Sequence, residues 1–217
     1  GDYITITDVV NYESPDAVLT ETAQLLGDQA GDTLDQITRD VLLAGTSVFY
    51  GGAAVARIGV AAGDLITATM VLKAVRALKL NNAMKITSMI SPSTGIATTP
   101  LNACFIGIVH PNVAYTLKTL TGWIPVEKYS GKQMMENEIG ALDEVRFLES
   151  TNAKVFTGLG AAGIDVYGTL ILAANAYGVT RISGETISNI VKPLGSGGSA
   201  DPLNQRQTSG WKGTFVA

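Results

Sequence analysis

The stretch SPDAVLTETAQLLGDQAGDTLDQITRDVLLAG, residues 14–45, decides how this chain is read. Ser14 suits an N-cap, Pro15 the first helical position and Asp16 the positive end of a helix dipole, while Gly45 stands where a C-terminal cap belongs. Between them Leu19, Ala23, Leu26, Ala30, Leu34, Ile37, Val41 and Ala44 recur at steps of three and four, so one apolar ridge runs the length of a helix over 15–44. At about 1.5 Å per residue that is a rod of roughly 45 Å, too long for a minor connector. Gly27 and Gly31 lie one turn apart inside it, and each costs about 1 kcal/mol relative to Ala. Their shared face predicts another backbone packed closely against the rod.

Working outward, residues 3–10 alternate like a strand, and 47–60 read as two short strands around a turn at Gly51 and Gly52. A second helix is expected over 67–80, with Val71, Val75 and Leu78 inward and Lys73, Arg76 and Lys79 on a solvated side. Residues 103–109 form an apolar strand, followed by a helix over 111–120 that begins at His110. From 121 to 137 the period is broken by Gly122, Trp123, Pro125 and Gly131, which predicts a long surface loop. Strands are expected at 145–149, 153–156, 166–173 and 211–216. There is no internal repeat, and helices and strands interleave without regular βαβ spacing, so the fold class is α+β.

Only 16% of the residues are charged, against roughly 25% in an ordinary soluble domain, while 46% are hydrophobic. No apolar run reaches the roughly 18 to 20 residues that cross a bilayer, so the deficit points to burial between protein subunits rather than to a membrane. The net charge of −4, from 15 basic and 19 acidic residues without a block of one sign, excludes a tight phosphate-driven grip on nucleic acid. The single cysteine, Cys104, sits among Ala103, Phe105 and Ile106 as a buried structural thiol, without a partner for a disulfide or a zinc cluster. Gly1 opens directly into strand-like sequence rather than a signal peptide. The chain therefore reads as beginning inside a domain, an upstream part having been cut off, removed in maturation or omitted.

GLGAAG at 158–163 spells a dinucleotide-binding fingerprint through Gly158, Gly160 and Gly163, and Glu185 stands downstream at the distance where an acid could hold a ribose. That motif needs a helix at once, because the phosphate sits on the helix N-terminus. Residues 164–172 are instead β-branched and read as a strand, with too few residues left to complete a doubly wound sheet. The acidic residues Glu136, Glu138, Asp143, Glu144 and Glu149 are expected to be a solvated loop and strand surface. No Ser, His and Asp set stands out, and one histidine cannot form a metalloprotease pair. No catalytic residue, cofactor site or metal site is therefore assigned. The closing stretch 192–212 has a flexible centre at 195–199 and is read as a surface connection back to a sheet. Arg206 and Trp211 are candidate interface anchors, with Trp123, Gly27 and Gly31.

Six phrases in order carry a resemblance: GDYITITDVV (1–10), TLDQITRDVLLAGT (33–46), KAVRALKLNNA (73–83), VHP (109–111), NEIGALDEVRFLEST (137–151) and the close from KPLG (192–195) to GWK (210–212). Together they resemble a tailed-phage major capsid protein of the podovirus N-four type. The resemblance implies the Hong Kong ninety-seven capsid fold, with the 15–44 helix as spine helix. On that pattern 1–66 is a peripheral domain with the extended-loop return strand, 67–150 is mainly axial domain, and 151–217 returns to the axial and peripheral sheet. On the same pattern the N-terminal arm and most of the extended loop are expected to be missing from this stretch. Members of the family generally continue beyond the GWK phrase, whereas this chain stops at Ala217. It further implies a non-enzymatic subunit of a virion, assembled in the host cytoplasm into pentamers and hexamers of an icosahedral shell. Scaffolding, portal and decoration proteins are the implied partners, and packaged double-stranded DNA is touched non-specifically. Two other readings stand beside it: an encapsulin-like protein compartment, and a nucleotide-binding enzyme using Gly158–Gly163.

Overall fold

The computed structural model describes residues 1–14, 18–90, 98–129, 134–180 and 187–217. Strand β1 (Asp2–Thr7) is followed by helices α1 (Asp8–Glu13), α2 (Val18–Leu43) and α3 (Ala68–Leu80). Next come strands β2 (Ile86–Ile90) and β3 (Thr98–Val109), helix α4 (Pro111–Lys118), and strands β4 (Ile124–Pro125), β5 (Glu138–Leu142) and β6 (Val145–Glu149). The chain closes through β7 (Val155–Phe156), β8 (Val166–Tyr167), β9 (Leu170–Leu172), β10 (Ser188–Lys192) and β11 (Arg206–Lys212). Its internal contacts divide it into two units, one of Gly1–Thr38 with Gly178–Ala217, the other of Arg39–Tyr177.

The first unit joins the two ends of the chain. β1 and β10 flank β11 in an antiparallel sheet, with Asp2 opposite Trp211, Ile4 opposite Ser209 and Ile6 opposite Gln207. Alternation places Asp2, Ile4 and Ile6 on one face with Trp211, Ser209 and Gln207. That face looks toward α2: Gln29 donates from Nε2 to Asp2 Oδ2 at 2.6 Å and accepts from Trp211 Nε1 at 3.3 Å. Ile6, Gln207 and Ser209 are buried, as are Leu26 and Ala30 on the helix.

The second unit holds a larger mixed sheet in the order β2-β3-β6-β5-β4, with β9 also paired to β3. β3 and β6 are parallel, so a crossover must join them, and α4 lies in that connection. One core packs Val71 and Val75 of α3 with Phe105, Val109, Ala114, Leu117, Leu142, Val145 and Phe147. Cys104 and Leu101 gather with Met135 in a second cluster. Gly107 lies opposite Phe147 in the ladder, where a Cβ would come within 2.5 Å of the phenyl ring. Only glycine leaves room for that ring.

Several expected elements stand as read. α3 is capped by Thr67, whose hydroxyl accepts from Met70 N at 3.3 Å, and His110 Nδ1 accepts from Asn112 N at 3.2 Å to open α4. Cys104 is buried. α2 ends at Leu43, where Gly45 N donates to Leu42 O at 3.3 Å. Ser14, expected as the N-cap of the long helix, instead caps the C-terminus of α1, its N–H donating to Val10 O at 2.9 Å, while Pro15 and Asp16 lie outside the described residues.

Others are corrected. The strand expected over 3–10 stops at Thr7, because β11 offers no partner beyond Arg206; Asp8 then begins α1. The two strands expected in 47–60 do not form. Gly52 is left-handed at φ 60°, Gly51 packs on Asp64, and a short 3-10 turn at Arg57–Gly59 replaces the second strand. The closing strand is Arg206–Lys212 rather than 211–216, so much of the supposed surface connection is the central strand of a sheet. β2, β4, β5 and β10 had no counterpart among the expected strands, and β4 lies within the loop expected over 121–137, where it pairs with β5.

Candidate functional site

Three local arrangements were open to chemistry: the glycine motif, the acidic group and the surfaces around the candidate anchors. The glycine motif closes a hairpin. β7 leaves at Phe156, Gly158 and Gly163 are left-handed at φ 67° and 75°, and β8 returns antiparallel to β7. A three-residue 3-10 turn at Ala161–Gly163 stands where a phosphate-binding helix would be needed, and Gly158 N already donates to Asp165 Oδ1 at 2.9 Å. A carboxylate occupies the donor that a phosphate would require. Glu185 lies outside the described residues.

The acidic group is only in part the solvated surface expected of it: Glu136 and Asp143 are exposed and Glu144 and Glu149 partly so, but the Glu138 side chain is buried. Glu138 has 0% of its side chain exposed and is held by Arg146, which donates from Nε and Nη2 at 2.6 Å each. Tyr129 Oη donates to the same carboxylate at 2.9 Å, as does Met135 N. The register explains the meeting: Glu138 lies opposite Leu148, so Arg146 is its diagonal neighbour on the same face. Burial works against the charge on Arg146, but the hydrogen bonds to Glu138 prevail and hold its pKa above the ordinary value. Burial first, and then the bond to Glu138, push the Tyr129 hydroxyl up. Every partner is a fixed strand or loop group, so this is a structural clasp. Glu144 meets Lys79 at 2.7 Å and Lys85 at 3.0 Å, and those hydrogen bonds hold its carboxyl below the usual range. Among the described residues no three His, Cys, Asp or Glu side chains come together as metal ligands.

In the first unit an open apolar groove of about 330 Å³ runs between α2 and the sheet. Its helix wall includes Ala23, Gly27, Ala30 and Gly31, and its sheet wall Asn189 and Trp211. A Cβ built at Gly27 or Gly31 meets nothing within 4 Å, so the described residues of this chain do not supply the close neighbour expected there. Trp211 is half-buried, and its indole is tied to Gln29. Arg206 is exposed, and its backbone N–H donates to Asp201 Oδ2 at 2.7 Å. Five residues apart on one strand, Arg206 and Trp211 face opposite sides of the sheet and cannot form one anchor. Trp123, in the second unit, packs against Phe147 with ring centroids 5.9 Å apart.

A likeness among solved structures bears on the whole arrangement. The capsid of Ralstonia phage GP4 matches with a TM-score of 0.65 over 99% of this chain and 69% of that one, at 13% identity. This chain has a phage-capsid-like fold. No protein-family model matches the sequence, and no curated protein does. The capsid-like fold is mixed helix and sheet, and its features here are a long helix, a sheet uniting both chain ends and a second unit built on a parallel crossover. Among the described residues, no helix is long and apolar enough to cross a membrane.

Sequence reasoning missed the Glu138 clasp and the groove. The turn at Asp143 and Glu144 separates two alternating runs and marks a hairpin, but regular pairing would set Glu138 opposite Glu149; the register shift between Glu138 and Gly140 moves it opposite Leu148 and onto the face of Arg146, which no sequence signal announces. The groove had none beyond the two glycines.

Proposed function

We propose that this chain is a major capsid protein of a tailed double-stranded DNA phage, of the podovirus N-four type and the Hong Kong ninety-seven fold, self-assembling into the icosahedral head that encloses the genome. The likeness to a phage capsid along almost the whole chain carries this reading. In it α2 serves as spine helix, residues 1–66 belong to the peripheral domain, 67–150 mainly to the axial domain, and 151–217 return to the sheet. The low charge content fits a subunit whose free surface is covered by its neighbours. Pentamers and hexamers arise from heterologous contacts that close into rings. Scaffolding, portal and decoration proteins are its further partners, DNA is contacted without specificity, and the virion is its final location. No catalytic step belongs to this role.

Electron microscopy of the purified protein, alone and with a scaffold, tests the reading. Closed shells of many copies that package a genome in the phage context are expected. A product that stays monomeric under all assembly conditions overturns it. Protein-filled shells lacking nucleic acid would instead establish the encapsulin-like alternative. Saturable micromolar nucleotide binding would revive the enzyme reading.

A further inference from the structure

Charge is divided unevenly between the two units. Gly1–Thr38 with Gly178–Ala217 holds ten acidic and four basic residues, and Arg39–Tyr177 nine acidic and eleven basic, which gives −6 and +2 within the total of −4. Residues 1–38 contain no lysine or arginine at all. Each excess is displayed on a helix that leaves an outward face unpartnered.

On α3 the residues Leu72, Lys73, Arg76 and Leu80 are all exposed and fall within an arc of about 100°. Lys79 is engaged by Glu144, but neither Lys73 nor Arg76 has an ion-pair partner among the described residues. On α2 the positions Glu21, Leu25 and Asp28 take the i, i+4, i+7 spacing of one face and are likewise exposed, Leu25 at 62%. The two faces match in kind and oppose in sign: leucine flanked by cations on one, leucine flanked by carboxylates on the other.

We propose that the outer face of α3 in one copy docks on the Glu21–Asp28 face of α2 in a second copy, an inference that rests on the self-assembling reading above. The leucines supply apolar contact at the centre, and the paired charges set register and exclude like faces. Because the two surfaces differ, the contact is heterologous and passes from copy to copy, as a ring or shell requires. A single helix-on-helix contact is small, and multiplication through many copies gives it strength.

The test uses the full chain under conditions where the wild type forms particles, read by sedimentation velocity and electron microscopy. Lys73→Glu with Arg76→Glu, and separately Glu21→Lys with Asp28→Lys, are each expected to lower particle yield at low salt by about tenfold or more, since like charges then face one another. Circular dichroism of both variants should be unchanged. An equimolar mixture should recover part of the yield, because each variant meets its complement in the other wherever the two alternate, which a hexamer allows throughout and a pentamer does not. Lys73→Gln with Arg76→Gln removes attraction without adding repulsion and should fall between. Normal yield from either reversed variant, or a mixture no better than its parts, overturns the docking and leaves the shell reading intact. Wild type that forms no particles overturns the shell reading itself. If the Lys73→Glu, Arg76→Glu particles form normally and merely retain less DNA, the α3 face serves nucleic acid and the docking is wrong.

Discussion

Glu138 shows how much one strand residue can hold. Its carboxylate accepts from Arg146, Tyr129 and the backbone of Met135, so it fastens the segment before β5 to the hairpin formed with β6. Removing one partner leaves the other charge buried and uncompensated, a change that costs about 3–5 kcal/mol. Arg146→Met or Glu138→Leu should each lower the unfolding free energy measured in urea by that order, and the double replacement should recover much of the loss. Equal losses in all three variants would show that the ion pair itself is what stabilises the hairpin. At this scale the sequence was partly legible. Cys104 and His110 could be placed from their neighbours, whereas Glu138 looked like one of a crowd of surface acids because only strand register reveals its partner.

At the scale of elements, α2 was legible because its signal is local: apolar residues at steps of three and four mark a long helix before any contact is known. α3 and β6 declared themselves in the same way. β10 and β11 did not, because their short, polar sequences become strands only through pairing, and β11 pairs with β1 from the opposite end of the chain. The reverse error at 47–60 has the same origin, since strand-like residues without a partner strand settle into turns. The groove along α2 owes its width to Gly27 and Gly31 and yields a prediction in two parts. Open space lies around both positions, so Gly27→Ala with Gly31→Ala should stabilise the isolated chain by up to about 1 kcal/mol per site, seen as a higher Tm. If another chain's backbone lies in the groove, the same variant should form particles poorly. A raised Tm with full particle yield would show that the groove is left open in the shell.

For the whole molecule, acidity is the informative variable. Hydrogen bonds from Lys79 and Lys85 depress Glu144; at Asp40 burial opposes the charge, but hydrogen bonds from Arg39 and Lys154 outweigh it and the carboxyl is again depressed. The unfolded chain therefore takes up protons at a higher pH than the folded one, so stability is fully present above the ordinary carboxylate values of 4.5 and 3.8 and declines as pH falls through the depressed folded values. Thermal melts from pH 7 to pH 3 should show a flat region and then a fall beginning near 4.5, less steep in Glu144→Gln. A melting temperature that rises on acidification would contradict that linkage. Both groups are partly solvated, so the slope should be shallow and flattened by salt.

The sheet that unites both chain ends also sets an order of events during synthesis. β11 is the central strand between β1 and β10, so the first unit cannot close until residues 206–212 have left the ribosome, whereas Arg39–Tyr177 can already fold. Until β11 emerges, a nascent chain thus carries its acidic α2 segment without the sheet that completes that unit. Any contact needing the finished unit must wait until β11 has emerged and paired with β1 and β10.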